Sequence, residues 1–537
     1  MKRIGFALNR EWKLLLALFL MANLHCADDA TKKTSSLQAT HHDSSFTFPA
    51  DFQFGLATAP GHAEDQLQDA WATWATQGKV PGFQNVANPM ERLRFWSAPE
   101  IELDLAAATG IGLYRFGLDW SRLVPEQPGS SRCPKEPKGL CSAGIQDFKA
   151  WQHYLDRHFS YLQSKNLKVM LTLFHHSGPQ WFVDSGGWTN AANVEYFAAF
   201  VESLLTSLHK EKIVVDYWIT INEPSLMALM SYILQDWPVH GADVGFDFSK
   251  LLQLASGNTV LSDYFKAIDH MAEAHSRAFN LIKAKRPDSE MVGFAQNLGL
   301  YTPANPNHLF TGILQRKLAD YARENFLYLF LRKALKESDF LGVNYYGEEF
   351  IDLGGLALVK DREYMDSGRA INPFGLYKVV KEVIAEFSYD KPIFITENGI
   401  SDQQDVLRPA YLFEHLLAAA ELIKEGVPVL GYIFWTLSDN WEWADGYCPK
   451  FGLYEVDRQD AQLETRMGRI DSLSLFKRIV ATHQLLPKDR KIAWDKVQSN
   501  AGKPRPLCRS LDGRTALGEA DWSIRKYLDH DWRFLAP

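Results

Sequence analysis

The chain has 537 residues, 46% of them hydrophobic, enough for one large domain or for two to three ordinary ones. Its formal net charge of -8, with no basic run, argues against a nucleic-acid partner, whose phosphates require clustered Lys and Arg. No Cys/His spacing resembles a zinc site, and no metal or organic cofactor is expected.

Residues 1–30 read as a targeting segment, with Lys2, Arg3, Arg10 and Lys13 before the apolar run Leu14 to Ala22. That run is short for a bilayer span, which leaves a cleaved secretory signal or an uncleaved membrane anchor. Residues 31–47 read as a polar linker, 48–486 as one catalytic unit, and 487–537 as an extension packed on it through Trp522, Trp532 and Phe534. Cys133 and Cys141 bracket a loop rich in Pro, Gly and Lys, where they are either a local disulfide or two loop thiols.

Eight short β-rich runs follow one another from Phe52 onward. They are Phe52 to Thr58, Leu113 to Leu118, Val169 to Phe174, Tyr217 to Ile221, Met291 to Ala295, Phe340 to Tyr346, Ile393 to Thr396 and Val429 to Trp435. Between them lie amphipathic stretches such as Val194 to Leu208, Tyr264 to Lys285 and Leu407 to Lys424. Eight strands alternating with helices predict a (β/α)₈ TIM barrel, with its active site at the carboxyl ends of the strands. The chain exceeds a minimal barrel, so enlarged βα loops are expected at Leu251 to Asp263 and Pro303 to Phe310.

The predicted strand ends are polar: His62 past the first, Arg115 in the second, His175 and His176 at the third, Asn222 and Glu223 at the fourth, Asn344 and Tyr346 at the sixth, Glu397 at the seventh, and Trp435 to Trp443 after the eighth. Any one could be a solvated loop start; together they read as a site. Glu223 and Glu397, each ending an apolar strand, suggest two-carboxylate chemistry on a glycoside. A separation of about 5 Å would mean retention of configuration, and about 6.5–9.5 Å would mean inversion. In either case the acid must stay protonated, and the charge of the other carboxylate would raise it. Arg115 and Tyr346 are suited to keep a nucleophile ionised. His62, His175, Asn222, Asn344, Trp435, Glu442 and Trp443 supply hydrogen bonds and flat faces for a sugar.

These residues resemble glycoside hydrolase family 1, the β-glucosidase-like retaining enzymes. The likeness rests on Thr220 to Pro224, Ile395 to Gly399, Phe48-Pro49, Tyr114-Arg115, Asp119 to Arg122 and Trp435 to Gly446. It implies Glu223 as acid/base, Glu397 as nucleophile, Arg115 and Tyr346 as the partners of Glu397, and the remaining residues as the glycone site. Family members usually carry Gln where this chain has His62, and Trp-Asp where it has His176-Ser177. These departures, with Glu91 to Ser97 and the tail His530 to Phe534, are similar to the galactolipid:galactolipid galactosyltransferase branch of that family. That likeness implies two activities for one site, hydrolysis of β-glucosides or β-galactosides and galactosyl transfer between galactolipids. It also sets a chloroplast-envelope anchor beside the secreted or periplasmic reading of the N-terminus. Where that branch carries a long basic insertion after the first strand, Gln77 to Pro89 is short.

Overall fold

The computed structural model describes residues 45–80, 92–132, 140–239, 259–353, 355–359, 362–505, 508, 522–523 and 531–534. All eight predicted strands are present: β1 (Gln53–Ala57), β2 (Leu113–Gly117), β3 (Lys168–Thr172), β4 (Tyr217–Asn222), β5 (Met291–Asn297), β6 (Phe340–Asn344), β7 (Ile393–Asn398) and β8 (Val429–Phe434). Each pairs in parallel with its neighbour in sequence, and β8 closes on β1, giving a TIM barrel. The predicted helices form as Ala191–Lys210, Thr259–Lys285 and Arg408–Lys424, each longer than or close to its periodic core.

Strand alternation divides the core in two. Leu113, Met170, Ile219, Phe340, Phe394 and Ile433 share one cluster inside the barrel, whereas Tyr114, Leu171, Trp218, Leu341, Ile395 and Tyr432 pack in a second cluster with the helices. Arg115 lies two residues beyond Leu113, which carries its guanidinium inward at the top of the barrel. At the carboxyl ends of β4 and β7 the register breaks, between Ile219 and Asn222 and between Ile395 and Glu397. Such irregularities re-aim side chains, and here they fall immediately before the two acids.

The loop expected at Leu251 to Asp263 lies partly outside the described residues, and its last part is helical from Thr259. The Pro303 to Phe310 insertion begins in a short strand, Leu300–Pro303, that joins Glu348–Asp352 and Gly355–Ala357 in a separate three-stranded sheet. After the barrel, helix Pro487–Ser499 packs on helix Arg408–Lys424 around buried Glu414. This carboxylate accepts from Arg490 Nε and Nη2, Trp494 Nε1 and the Phe534 amide. Trp532 packs on Trp494 at 4.4 Å between ring centroids. The Trp522 side chain lies outside the described set.

A Cys448–Cys508 disulfide ties the loop after β8 to the C-terminal segment, a pairing that cysteine counting could not supply. Cys141 is disulfide-bonded, and Cys133 lies outside the described residues, as do residues 1–44 with the targeting segment. Among the described residues no helix is long and apolar enough to cross a membrane, and no group of three or more His, Cys, Asp or Glu could hold a metal ion.

Candidate active site

The predicted site residues come together above the barrel. Arg115 Nη1 donates to Glu397 Oε1 at 2.6 Å, and the Tyr346 hydroxyl donates to Glu397 Oε2 at 2.7 Å. Arg115 Nε and Nη2 reach Thr172 Oγ1 and Asn222 Oδ1 at 3.2 and 2.7 Å, so the guanidinium spans β2, β3, β4 and β7. Asn344 accepts from Thr396 Oγ1, which fixes its amide so that Nδ2 donates to Asn222 Oδ1 and Glu223 Oε1. A chain of direct contacts, Glu397–Arg115–Asn222–Asn344–Glu223, thus links the two acids.

His62 Nδ1 meets the Trp441 carbonyl, and its ring lies against Trp443, Trp435 and His175. Trp435 Nε1 donates to Glu442 Oε1 at 3.1 Å. Two glycines make this crowding feasible. A Cβ on Gly61 would meet the Trp443 indole at 2.8 Å, and one on Gly399, just past Glu397, would sit 1.8 Å from the Trp435 carbonyl oxygen. Glu223 (φ 42), His176 (φ 58) and Trp443 (φ 48) occupy left-handed backbone, a cost of about 1–3 kcal/mol each that clusters at functional positions.

The electrostatics depart from the sequence expectation. Burial pushes Glu397 up to about 7, and the Glu223 charge adds to this while Arg115 and Tyr346 pull it down. Burial also pushes Glu223 up, but His176 and the amides of Asn344 and Asn297 outweigh it and the net direction is downward. The carboxyl predicted to be raised is therefore lowered in the protein alone, because His176 and the two amides outweigh the effect of burial. Glu442 is driven well above the usual carboxylate range, first by burial. Burial holds His62 down at about 3 and His175 well below the ordinary imidazole value, so both rings are neutral.

Of two further neighbours of Glu223, Asn297 was absent from the predicted set and His176 stood among the polar strand ends without a role. Asn297 Nδ2 donates to Glu223 Oε1 at 3.0 Å from the end of β5, the one strand for which no polar end was assigned. Reading that run two residues further would have found it. His176, noted as a departure from the family pattern, has its Nε2 3.7 Å from Glu223 Oε2.

The fold and the paired acids define a glycoside-hydrolase-type barrel enzyme. The sequence profile of glycosyl hydrolase family 1 matches residues 44–312 and 330–485, and the chain belongs to that family. It is 36% identical to the galactolipid galactosyltransferase SFR2, chloroplastic, of Arabidopsis thaliana, over 90% of this chain and 82% of that one. It is 27% identical to beta-glucosidase A of Thermotoga maritima, over 76% and 93% of the two chains. A beta-glycosidase from Pyrococcus horikoshii superposes with a TM-score of 0.67 at 25% identity, covering 83% of this chain and 98% of that one.

Proposed function

We propose that the protein is a retaining β-glycosidase-type enzyme that acts on β-glucosides or β-galactosides through a covalent glycosyl-enzyme intermediate. The observation that carries this reading is Glu397 held at both oxygens by Arg115 and Tyr346, in a network that continues to Glu223. Glu397 attacks the anomeric carbon as Glu223 gives its proton to the departing oxygen. In the second step an acceptor hydroxyl loses its proton to Glu223, its oxygen bonds to the anomeric carbon, and the bond to Glu397 breaks. Arg115 and Tyr346 stabilise the carboxylate as it leaves.

The glycone is read by His62, His175, Asn222, Asn344, Trp435, Glu442 and Trp443. With Nδ1 of neutral His62 donating to the Trp441 carbonyl, Nε2 is left as an acceptor. A sugar hydroxyl there must donate, a narrower demand than the two-way amide of Gln that the family usually carries.

The second reading, galactolipid:galactolipid galactosyl transfer, is favoured by the similarity to the Arabidopsis thaliana protein over 90% of this chain. In that case a sugar hydroxyl takes the place of water in the second step. A non-catalytic sugar-binding protein would have no need of both acids, and both are in place. Incubation with a monogalactosyl lipid separates the readings by chromatography. Free galactose identifies hydrolysis and oligogalactolipids identify transfer. No turnover of this lipid or of aryl β-glucosides and β-galactosides would remove the proposal.

A further inference from the structure

We infer that His176 Nε2 is a second seat for the acid proton, so that the group that gives and takes a proton in this site is the Glu223–His176 pair. The inference builds on the proposed function, but it stands first on geometry. Asn344 and Asn297 both donate to Glu223 Oε1 at 3.0 Å. Their amides cannot be turned round, because Asn344 Nδ2 also donates to Asn222 Oδ1, itself an acceptor of Arg115, and Asn297 Oδ1 accepts from the Gly299 amide. With Oε1 occupied by two donors, the acid proton belongs on Oε2, the oxygen that faces His176 at 3.7 Å.

The same His176 nitrogen, Nε2, lies 3.3 Å from the Asn222 amide, which sets its tautomer. Asn222 Oδ1 accepts from Arg115, so Asn222 Nδ2 turns to His175 Nε2 at 3.1 Å and His176 Nε2 at 3.3 Å. In the neutral ring this puts the hydrogen of His176 on Nδ1 and leaves a lone pair on Nε2. When Oε2 closes on Nε2 from 3.7 Å, the 3.3 Å contact from Asn222 Nδ2 to Nε2 breaks while that to His175 at 3.1 Å stays, and a proton moving from Oε2 to Nε2 turns acid and imidazole into carboxylate and imidazolium with no net change of charge. Glu223 is then already a base, and the proton stays beside it.

The backbone supports this placement. His176 is in left-handed conformation, its carbonyl accepts from Trp71 Nε1 at 2.9 Å, and the Ser177 hydroxyl is gripped by Asp69 Oδ2 and Asp119 Oδ2 at 2.8 and 2.6 Å. Burial and the Asp69 charge both raise Asp119. The other groups facing His176 are Arg115, His175, His62 and the rings of Trp237 and Trp443. Burial and Arg115 disfavour the imidazolium, and Glu223 favours it.

The test is a reciprocal titration by NMR on the full chain, with ¹³C-carboxyl glutamate and ¹⁵N histidine. Glu223 and His176 are assigned from Glu223→Gln and His176→Gln. The Glu223 midpoint should rise in His176→Gln, and the His176 midpoint should fall in Glu223→Gln. Midpoints that ignore the loss of the other partner overturn the pair. If His176→Gln does not fold, His176→Asn supplies the His176 assignment and the Glu223→Gln arm decides. The titration needs no turnover, so an inactive wild type would remove the functional reading and still leave the pair to be judged. For an active enzyme, His176→Gln should alter the pH profile of kcat/KM for an alkyl β-galactoside more than for a dinitrophenyl β-galactoside, whose leaving group needs no proton. A merely structural role would lower both equally without moving either profile.

Discussion

Tyr346→Phe removes one hydrogen atom's worth of bonding from the proposed nucleophile and leaves the ring in place. The lost contact is the 2.7 Å donation to Glu397 Oε2, with both residues buried. A hydrogen bond to a charged group contributes about 1.5–3 kcal/mol. At about 1.4 kcal/mol per tenfold in rate, kcat/KM should fall about 10- to 100-fold. The pH profile should move as well. Glu397 works ionised, and burial pushes it up to about 7, so activity falls as pH drops through that range. The Tyr346 hydroxyl is one of the groups pulling Glu397 down, so its removal moves the acid limb to higher pH. Initial rates on an aryl β-galactoside between pH 5 and 9 measure both effects. An unchanged rate with an unmoved limb would refute the assignment of Tyr346 to the ionised carboxylate.

Glu397 also links pH to stability. Its folded value lies above the ordinary 4.5, so ionisation in place costs stability. The contribution is full below about 4.5 and is lost as pH rises through about 7. Glu397→Gln should therefore gain in melting temperature relative to wild type between pH 5 and pH 8, and a constant difference would contradict the burial argument. Cys448→Ser opens a cross-link across 60 residues and should cost about 2–4 kcal/mol in denaturant unfolding, less if the unfolded chain is already compact. Glu414→Ala strands Arg490, Trp494 Nε1 and the Phe534 amide, at a cost of about 3–5 kcal/mol. Limited proteolysis should then cut the C-terminal extension before the barrel.

The barrel was legible because each strand is a short apolar run and the helices between them keep their period, as in Ile393 to Thr396 followed by Arg408 to Lys424. The site was legible where a polar residue interrupts such a run, as Arg115 does. Asn297 escaped because the apolar signal of β5 ends at Ala295, while the strand's hydrogen bonds continue to Asn344. The protonation order escaped for a different reason. It depends on which amides face Glu223 Oε1 and on His176 beside Oε2, contacts made by β5, β6 and the loop after β3 that no local pattern contains. The Cys448–Cys508 pairing is likewise a property of how the C-terminal segment returns to the barrel.

The central claim is that Glu397 bonds covalently to the sugar. A 2-deoxy-2-fluoro-β-galactoside with a good leaving group slows release of that intermediate, and peptide mass spectrometry then finds the label. A 2-deoxy-2-fluoro-galactosyl adduct on the peptide carrying Glu397, absent from Glu397→Gln, is the predicted result. Label on Glu223, or turnover that continues at full rate in Glu397→Gln, would contradict it.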